Sequence, residues 1–583
     1  MRFTTGPALP LGLGALALLS LAACGGGDDP APGGLPQLAA ASPATLSGSC
    51  EALATALAGQ ANTTIASAAT VAAGTLTAGG STTVAAGAPT VGEHCLVKGS
   101  MFEGRVGRDG NTYAIGFEMR LPKAWNGRFF YQANGGLDGN VNTAAGALGG
   151  GPLTGALAQG FAVISSDAGH KAADGSNFGL DPQARLDYGY QAVAKLTPMA
   201  KESIRRAYGK APDRSYFGGC SNGGRHAFVA AARYADQYDG ILAGAPGYNL
   251  PKAAVASIWG AQRYATVATG DPATPAGLET AFTAAERSLV GQAVLARCDA
   301  LDGATDGMVQ DMAACQSKFN LARDVPSCGS GGRNGTCLTD AQKTVVASIF
   351  AGATTSTGAA VYASFPWDSG VAGSGIPFWE FTAPLLLDSG SVGQVFSVPP
   401  QPAGFNGPAF ALNASIDALV AGINATDATF TESAMGFMTP PNPTNLATLK
   451  NRGAKMMVYH GVSDPIFSVN DTVAWYDGLR ASNGGDASSF AKLYPVPGMG
   501  HCSGGPATDQ FDMLTPLVKW VEQGEAPQAV VASARGAGNV GGVNADLPAT
   551  WAPNRTRPLC PYPQVARYKG SGSLESADSF SCQ

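Results

Sequence analysis

The stretch Ser215-Tyr216-Phe217-Gly218-Gly219-Cys220-Ser221-Asn222-Gly223-Gly224-Arg225 decides how the rest of the chain is read. A short β-prone run ends in a glycine-rich corner, and a helical pattern follows to about Tyr238. A serine at a tight strand-to-helix turn sits in a strained backbone conformation, and its neighbours two before and two after are crowded, so they must lack a Cβ. Gly219 and Gly223 meet that demand around Ser221. Such a turn lifts the hydroxyl clear of the sheet and aims the first amides of the helix at the place where an acyl oxyanion would form. In a chain with 79 glycines the same letters also suit a plain glycine-rich turn. The reading therefore depends on partners supplied elsewhere.

The totals bound the answer. With 583 residues the chain is too long for one core, which predicts two domains or one domain with a large insertion. Apolar residues at 45% against 13% charged exclude wholesale disorder, and a net charge of −6 gives no electrostatic footprint for nucleic acid.

Arg2 and the apolar run Pro10 to Ala23, too short to span a bilayer, read as a secretion signal. It ends in Leu21-Ala22-Ala23-Cys24, which resembles a bacterial lipobox and implies a lipid on Cys24; ordinary cleavage of an Ala-x-Ala type is the alternative. Gly25 in place of an acidic residue favours, by that resemblance, outer-membrane sorting. The expectation is an exported protein of a Gram-negative bacterium, an outer-membrane lipoprotein or a secreted or periplasmic protein, touching a membrane only through Cys24. Residues 25–49, rich in Gly, Pro, Ala and Ser, read as a tether. Setting Cys24 aside leaves ten of the eleven cysteines: Cys50, Cys95, Cys220, Cys298, Cys315, Cys328, Cys337, Cys502, Cys560 and Cys582. An even count in an exported protein reads as five disulfides, with about 945 possible pairings.

Along the chain, 51–91 reads as folded but poorly defined, with β-prone pieces such as Thr63-Thr64-Ile65. Ala114 to Leu121 alternates like a strand, and Arg128 to Gln132 reads as the next. Ala133-Asn134-Gly135-Gly136 then opens a glycine-rich loop that runs to Gly151, and Phe161 to Asp167 reads as a buried strand. Leu186 to Tyr208 reads as a helix, and Gly240 to Gly247 as a parallel strand with its exit. From about 250 to 447 the pattern breaks into irregular helices and Pro/Gly-rich runs; strand order resumes at Lys455 to His460. The class is α/β. The division is 50–249 as the first part of the sheet domain, 250–447 as an inserted lid and 448–583 as the second part.

These features resemble the α/β-hydrolase fold, in which Gly-x-Ser-x-Gly is the nucleophile elbow, an early glycine loop gives the second oxyanion amide, and the triad runs Ser, acid, His. Asp464, in Gly461-Val462-Ser463-Asp464-Pro465, follows a strand where the acid belongs. Of the five histidines (His94, His170, His226, His460 and His501) only His501 follows Asp464, with room between them for the helix Val473 to Ser482 and the strand Phe490 to Tyr494. Ser221 is then the nucleophile, His501 the base and Asp464 the residue that fixes the tautomer. The amides of Gly136 and Asn222 form the oxyanion hole. Cys220 precedes Ser221 and Cys502 follows His501, so a working triad would bring these two within reach of one disulfide.

Gly-Cys-Ser-x-Gly-Gly-Arg, the Gly-Val-Ser-Asp loop and Pro497-Gly498-Met499-Gly500-His501-Cys502 together resemble the tannase/feruloyl esterase family. Ala124 to Phe130, Gly179 to Leu186 and Arg557 to Pro563 extend the likeness over most of residues 90–583. The resemblance implies disulfides 50–95, 220–502, 298–315, 328–337 and 560–582. It implies a lid over the site and a substrate wall at Leu250, His460 and Phe467. Trp379 reads equally as an aromatic wall and as a core residue.

Asp299, Asp302 and Asp306 sit in Cys298-Asp299-Ala300-Leu301-Asp302-Gly303-Ala304-Thr305-Asp306-Gly307-Met308. Three carboxylates with glycine corners suit a hard cation, though the spacing is not that of an EF-hand, and a solvated acidic turn would look the same. The resemblance implies a structural Ca2+ here, with the Ala304 and Met308 carbonyls completing the set; no organic cofactor is implied.

The implied activity is serine hydrolysis of small aromatic carboxylic esters, with hydroxyethyl terephthalate monoesters and hydroxycinnamate or gallate esters as candidates. A serine peptidase on the same fold and a non-catalytic surface lipoprotein are the rival readings. One departure bears on the substrate. Terephthalate recognition in the family implies a lid arginine, yet none lies between Arg333 and Arg452, where the only lysines are Lys343 and Lys450. Carboxylate recognition should then be weaker or differently arranged.

Overall fold

The apolar runs pair into one nine-stranded sheet. In the computed structural model, which describes residues 34–75, 90–148, 155–329 and 332–583, its strands in chain order are β1 Thr63–Val71, β2 His94–Val106, β3 Thr112–Pro122, β4 Arg128–Gln132, β5 Ala162–Ser166, β6 Arg214–Cys220, β7 Gly240–Gly244, β8 Lys455–Gly461 and β9 Ala491–Val496. The spatial order is β9-β8-β7-β6-β4-β5-β3-β2-β1. β4 to β9 pair in parallel, and β5, β3, β2 and β1 pair antiparallel in turn. The signal segment with Cys24, and the start of the tether to residue 33, lie outside the described residues, as do residues 149–154, which include the end of the glycine-rich loop.

β7 and β8 are buried along their whole length, as parallel strands covered on both faces must be. Leu514, Leu517, Trp520 and Val521 of the helix Leu514–Gln523 join Tyr216, Leu242 and Tyr459 in one core. Because β4 lies between β5 and β6, the chain turns one way after β4 and the other way after β6. That is a topological switch point, the place where an open parallel sheet leaves a crevice beyond its carboxyl ends. The loop after β4 and the turn after β6 both open into it.

Between β7 and β8 the described chain contributes no strand to the sheet. It forms helices, including α3 Leu250–Ala265, and the π-helical segments Phe378–Thr382, Pro384–Asp388 and Ser391–Phe396. Their core, with Val255, Ile258 and Phe396, is continuous with Ile466 and Phe467 beyond β8 and with Tyr188.

Three boundaries differ from the sequence expectation. The helix after Ser221, α2 Asn222–Arg233, stops short of Tyr238. The turn that follows lets Tyr238 pack edge-on against Phe217 and lets Asp239 accept the Ser215 amide at 2.8 Å. A π-helical segment, Asp187–Gln191, precedes α1 Ala192–Tyr208. Residues 36–49 are not free tether. Ala44–Thr45 pairs with Ala124–Trp125, the Ala41 amide donates to Glu522 at 2.9 Å and the Ser42 amide to Asp213 at 2.8 Å. Backbone amides make much of this docking and Leu38 packs against the sheet core, and a segment with so few large apolar groups gives little sign of it.

Candidate active site

Ser221 occupies the turn between β6 and α2 at φ 66°, ψ −126°, a conformation that non-glycine residues rarely adopt. The crowding argued from the sequence is present. A Cβ at Gly219 would stand 2.5 Å from the Ala133 carbonyl oxygen and 2.8 Å from the Gly223 Cα, and one at Gly223 2.5 Å from the same oxygen. The two glycines let the Ser221 turn nest against the start of the β4 loop.

Asp464 is buried in the loop after β8. Its Oδ1 accepts the amides of Ile466 and Phe467, both at 3.0 Å, and its Oδ2 faces His501 Nδ1 at 2.7 Å. Burial opposes its ionisation, but His501 and the hydrogen bonds from His460 and His501 outweigh that and hold the carboxyl below its ordinary value. A carboxylate on Nδ1 selects the tautomer with a bare Nε2, and that nitrogen is buried with no hydrogen-bond partner. The imidazole is walled edge-on by Trp379 and Phe467, centroids 4.7 and 5.3 Å away. Cys220 and Cys502 are bonded, Cα to Cα 6.1 Å, so Ser221 and His501 each neighbour one end of the same bridge.

Gly136 (φ 62°) and Asn222 border the crevice from the β4 loop and the start of α2. One side chain ties them together. Asn222 Nδ2 donates to Asp138 Oδ2 at 2.8 Å, and His226 Nε2 faces the same oxygen at 3.0 Å. Burial raises the Asp138 carboxyl well above its ordinary value, against the pull of Arg225, and lowers His226 well below its own, with Arg225 adding to that. Tyr188 OH donates to the Gly136 carbonyl at 3.2 Å. On the other flank, Asp368 reaches from the inserted region to accept Ser463 Oγ at 2.5 Å, next to Asp464. Asp138, His226 and Asp368 were not found from the sequence. Lone polar residues with partners about a hundred positions away leave no local signal.

Ser221, Gly136, Asn222, Leu250, Trp379 and Phe467 line one pocket of about 410 Å³, its open mouth included. His460, expected on the substrate wall, is not among its lining residues. It is fully buried, with Nδ1 on Thr472 Oγ1 at 2.9 Å and Nε2 on the Phe467 carbonyl at 2.8 Å, behind Asp464 rather than in front of it. Nδ1 is thus held from the helix Val469–Ser482 and Nε2 from the loop before it. All ten remaining cysteines pair as the resemblance implies: 50–95, 220–502, 298–315, 328–337 and 560–582.

The acidic loop lies away from this pocket. Asp299 Oδ1 accepts the amides of Asp306 and Gly307, and Asp302 Oδ1 that of Ala304. Asp302 Oδ2 is buried without a partner. Burial, with the nearby charges of Asp306 and Asp299, pushes Asp302 up to about 7. Asp306 Oδ2 is held by Arg557. An orphaned carboxylate oxygen among repelling neighbours fits a hard cation, with Ala304 and Met308 as carbonyl donors in the same loop. As described, however, no three such side chains converge closely enough to hold a metal among the described residues.

A family model described as tannase and feruloyl esterase matches residues 102–583. The chain belongs to the tannase and feruloyl esterase family. As a member it is a carboxylic ester hydrolase. Mono(2-hydroxyethyl) terephthalate hydrolase of Piscinibacter sakaiensis is 41% identical to this family member over 525 residues, covering 84% of this chain and 85% of that protein. Probable feruloyl esterase B-1 of Aspergillus fumigatus is 29% identical over 483 residues, covering 80% and 82%. The crystal structure of feruloyl esterase B from Aspergillus oryzae matches with a TM-score of 0.70 over 92% of this chain and 99% of that one, at 24% identity. At that identity the likeness speaks for the fold, the α/β-hydrolase fold with a large helical insertion between β7 and β8.

Proposed function

We propose that Ser221, His501 and Asp464 form the triad of an esterase that cleaves aromatic carboxylic esters through an acyl-enzyme. The observation that carries this reading is His501, with Nδ1 on Asp464 and a bare, buried Nε2, bridged through Cys502 to the residue before Ser221. Nε2 takes the Ser221 proton as Oγ attacks the ester carbonyl. The amides of Gly136 and Asn222 hold the oxyanion, each worth about 100- to 1,000-fold by comparison with single-donor removals. His501 returns the proton to the leaving alcohol, and water then releases the acid by the same steps. Leu250, Trp379 and Phe467 give the substrate ring apolar and aromatic walls.

Hydroxyethyl terephthalate monoester, hydrolysed to terephthalate and ethylene glycol, is one substrate candidate, supported by the 41% identical relative. Feruloyl-type and galloyl esters are the other, favoured by the missing lid arginine. Chromatographic product release from these esters and a peptide amide, with Ser221→Ala alongside, tests the reading. Ester turnover abolished in the variant is expected, and turnover that survives the substitution would overturn it.

A structural Ca2+ in the loop of Asp299, Asp302 and Asp306, with the Ala304 and Met308 carbonyls, belongs to the proposal, supported by the orphaned Asp302 oxygen. So does export with lipid attachment at Cys24. Five disulfides suit an oxidising compartment.

A further inference from the structure

One charged side chain in the Ser221 pocket has no part in the triad. Asp388 ends the π-helical segment Pro384–Asp388, which packs on α3, and it lines the same pocket as Ser221 and Trp379. The residue is 6% exposed. Its Oδ2 accepts the Ser257 hydroxyl at 2.7 Å. Among the described residues no hydrogen bond reaches Oδ1, and burial and Ser257 are the influences acting on the carboxyl, with no cation beside it. A carboxyl held mostly out of water, with one oxygen that no protein donor reaches, leaves an acceptor open to whatever occupies the pocket, and such groups collect at functional sites.

The rest of the pocket narrows what could complete it. Ser391 Oγ is turned to the Leu387 carbonyl at 2.9 Å, and Tyr188 OH to the Gly136 carbonyl. No lysine or arginine lines the pocket. The two lysines between Arg333 and Arg452 are engaged elsewhere: Lys343 holds the Ala322 carbonyl and Ser327, and Lys450 holds Asn483. The polar end of this chamber therefore offers an acceptor and no cation.

We propose that Asp388 is a specificity-determining residue: its free oxygen accepts a hydrogen bond from a hydroxyl on the aromatic ring of the substrate, and its carboxyl works against a ring that carries a carboxylate there. A phenolic hydroxyl supplies the donor that Oδ1 lacks. A second carboxylate would face like charge, with no guanidinium fork to hold it. The inference rests on the Ser221 reading and narrows its substrate class.

The test uses three esters of one alcohol: the 2-hydroxyethyl esters of 4-hydroxybenzoic acid, benzoic acid and terephthalic acid (the monoester). kcat/KM is measured for the wild type, Asp388→Asn and Asp388→Ala. Ratios are compared between enzymes, so the intrinsic reactivity of each ester cancels. Asp388→Asn keeps the shape and removes the charge; it should raise the terephthalate-to-benzoate ratio tenfold or more. Asp388→Ala should cut the hydroxybenzoate-to-benzoate ratio about tenfold, in line with sites built around a substrate hydroxyl. Unchanged ratios in both variants, or a wild type that prefers the terephthalate monoester to the benzoate, would overturn the inference.

Calorimetry of the free acids on Ser221→Ala needs no turnover. There 4-hydroxybenzoate should bind more tightly than terephthalate, and adding Asp388→Ala should erase the difference; equal binding of the two acids counts against the role of Asp388. Failure of the triad reading looks different, because the benzoate ester would then be cleaved equally with and without Ser221.

Discussion

Cys220 and Cys502 are bonded across 282 residues, which fastens the residue before Ser221 to the residue after His501. In the proposed triad, the bridge joins the two loops whose relative position would set proton transfer. A structural disulfide contributes roughly 2–4 kcal/mol to stability, but here the greater effect should fall on geometry. Cys220→Ser with Cys502→Ser should lower kcat at least tenfold with a much smaller change in KM. Kinetics and a thermal melt on the same sample check this; equal loss of fold and activity would make the bridge a stability element only.

Asp464 keeps His501 in one tautomer. Asp464→Asn should lower kcat by about 10,000-fold, as in other triads where the acid becomes an amide. The sign of its pH effect follows from its depressed value. The stability it contributes is in place above the ordinary aspartate value of about 3.9 and is lost as pH falls through the depressed one. Melting temperatures below pH 4 should therefore fall more steeply for the wild type than for Asp464→Asn.

Asp138 ties Asn222 to the loop that carries Gly136. Asp138→Ala should lower kcat about 10- to 100-fold at nearly constant KM, less than the full loss of one oxyanion donor. Asp138→Asn, which can still accept from Asn222, should recover much of it. Steady-state kinetics on both variants separate positioning from bulk destabilisation, since a purely structural role would not be rescued by the amide.

Ca2+ bound at Asp299, Asp302 and Asp306 would stabilise the folded state by about 2.7 kcal/mol at a hundredfold excess over its Kd. That corresponds to roughly 2 °C in a chain of this size. Chelation should lower Tm by that order and added Ca2+ should restore it, whereas Asp302→Ala should melt low and ignore Ca2+. A melt indifferent to chelator would remove the ion from the account.

The elbow was legible because its pattern is local: Gly219, Ser221 and Gly223 lie within five positions, although the clash that excludes a Cβ at both glycines comes from the Ala133 carbonyl of the β4 loop, which the pattern does not show. Asp464 and His501 were legible from their order after strands. His460, which the resemblance implies for the substrate wall, lies outside the pocket lining, with both ring nitrogens held by Thr472 and the Phe467 carbonyl; those partners are 12 and 7 positions on and leave no mark in the strand pattern. Asp138, Asp368 and Asp388 stayed hidden for another reason. Each is a single acid given meaning by Asn222, Ser463 or Ser257, which lie 84, 95 and 131 positions away. The docking of residues 36–49 rests largely on backbone hydrogen bonds, which composition does not record.

Trapping the acyl-enzyme tests the nucleophile most directly. The enzyme is mixed with the 2-hydroxyethyl benzoate ester, quenched in acid within the first turnover and digested for mass spectrometry. A benzoyl group on the peptide that contains Ser221, absent from Ser221→Ala together with turnover, is the expected result. Undiminished ester hydrolysis by Ser221→Ala, or an acyl group on another residue, would contradict the triad.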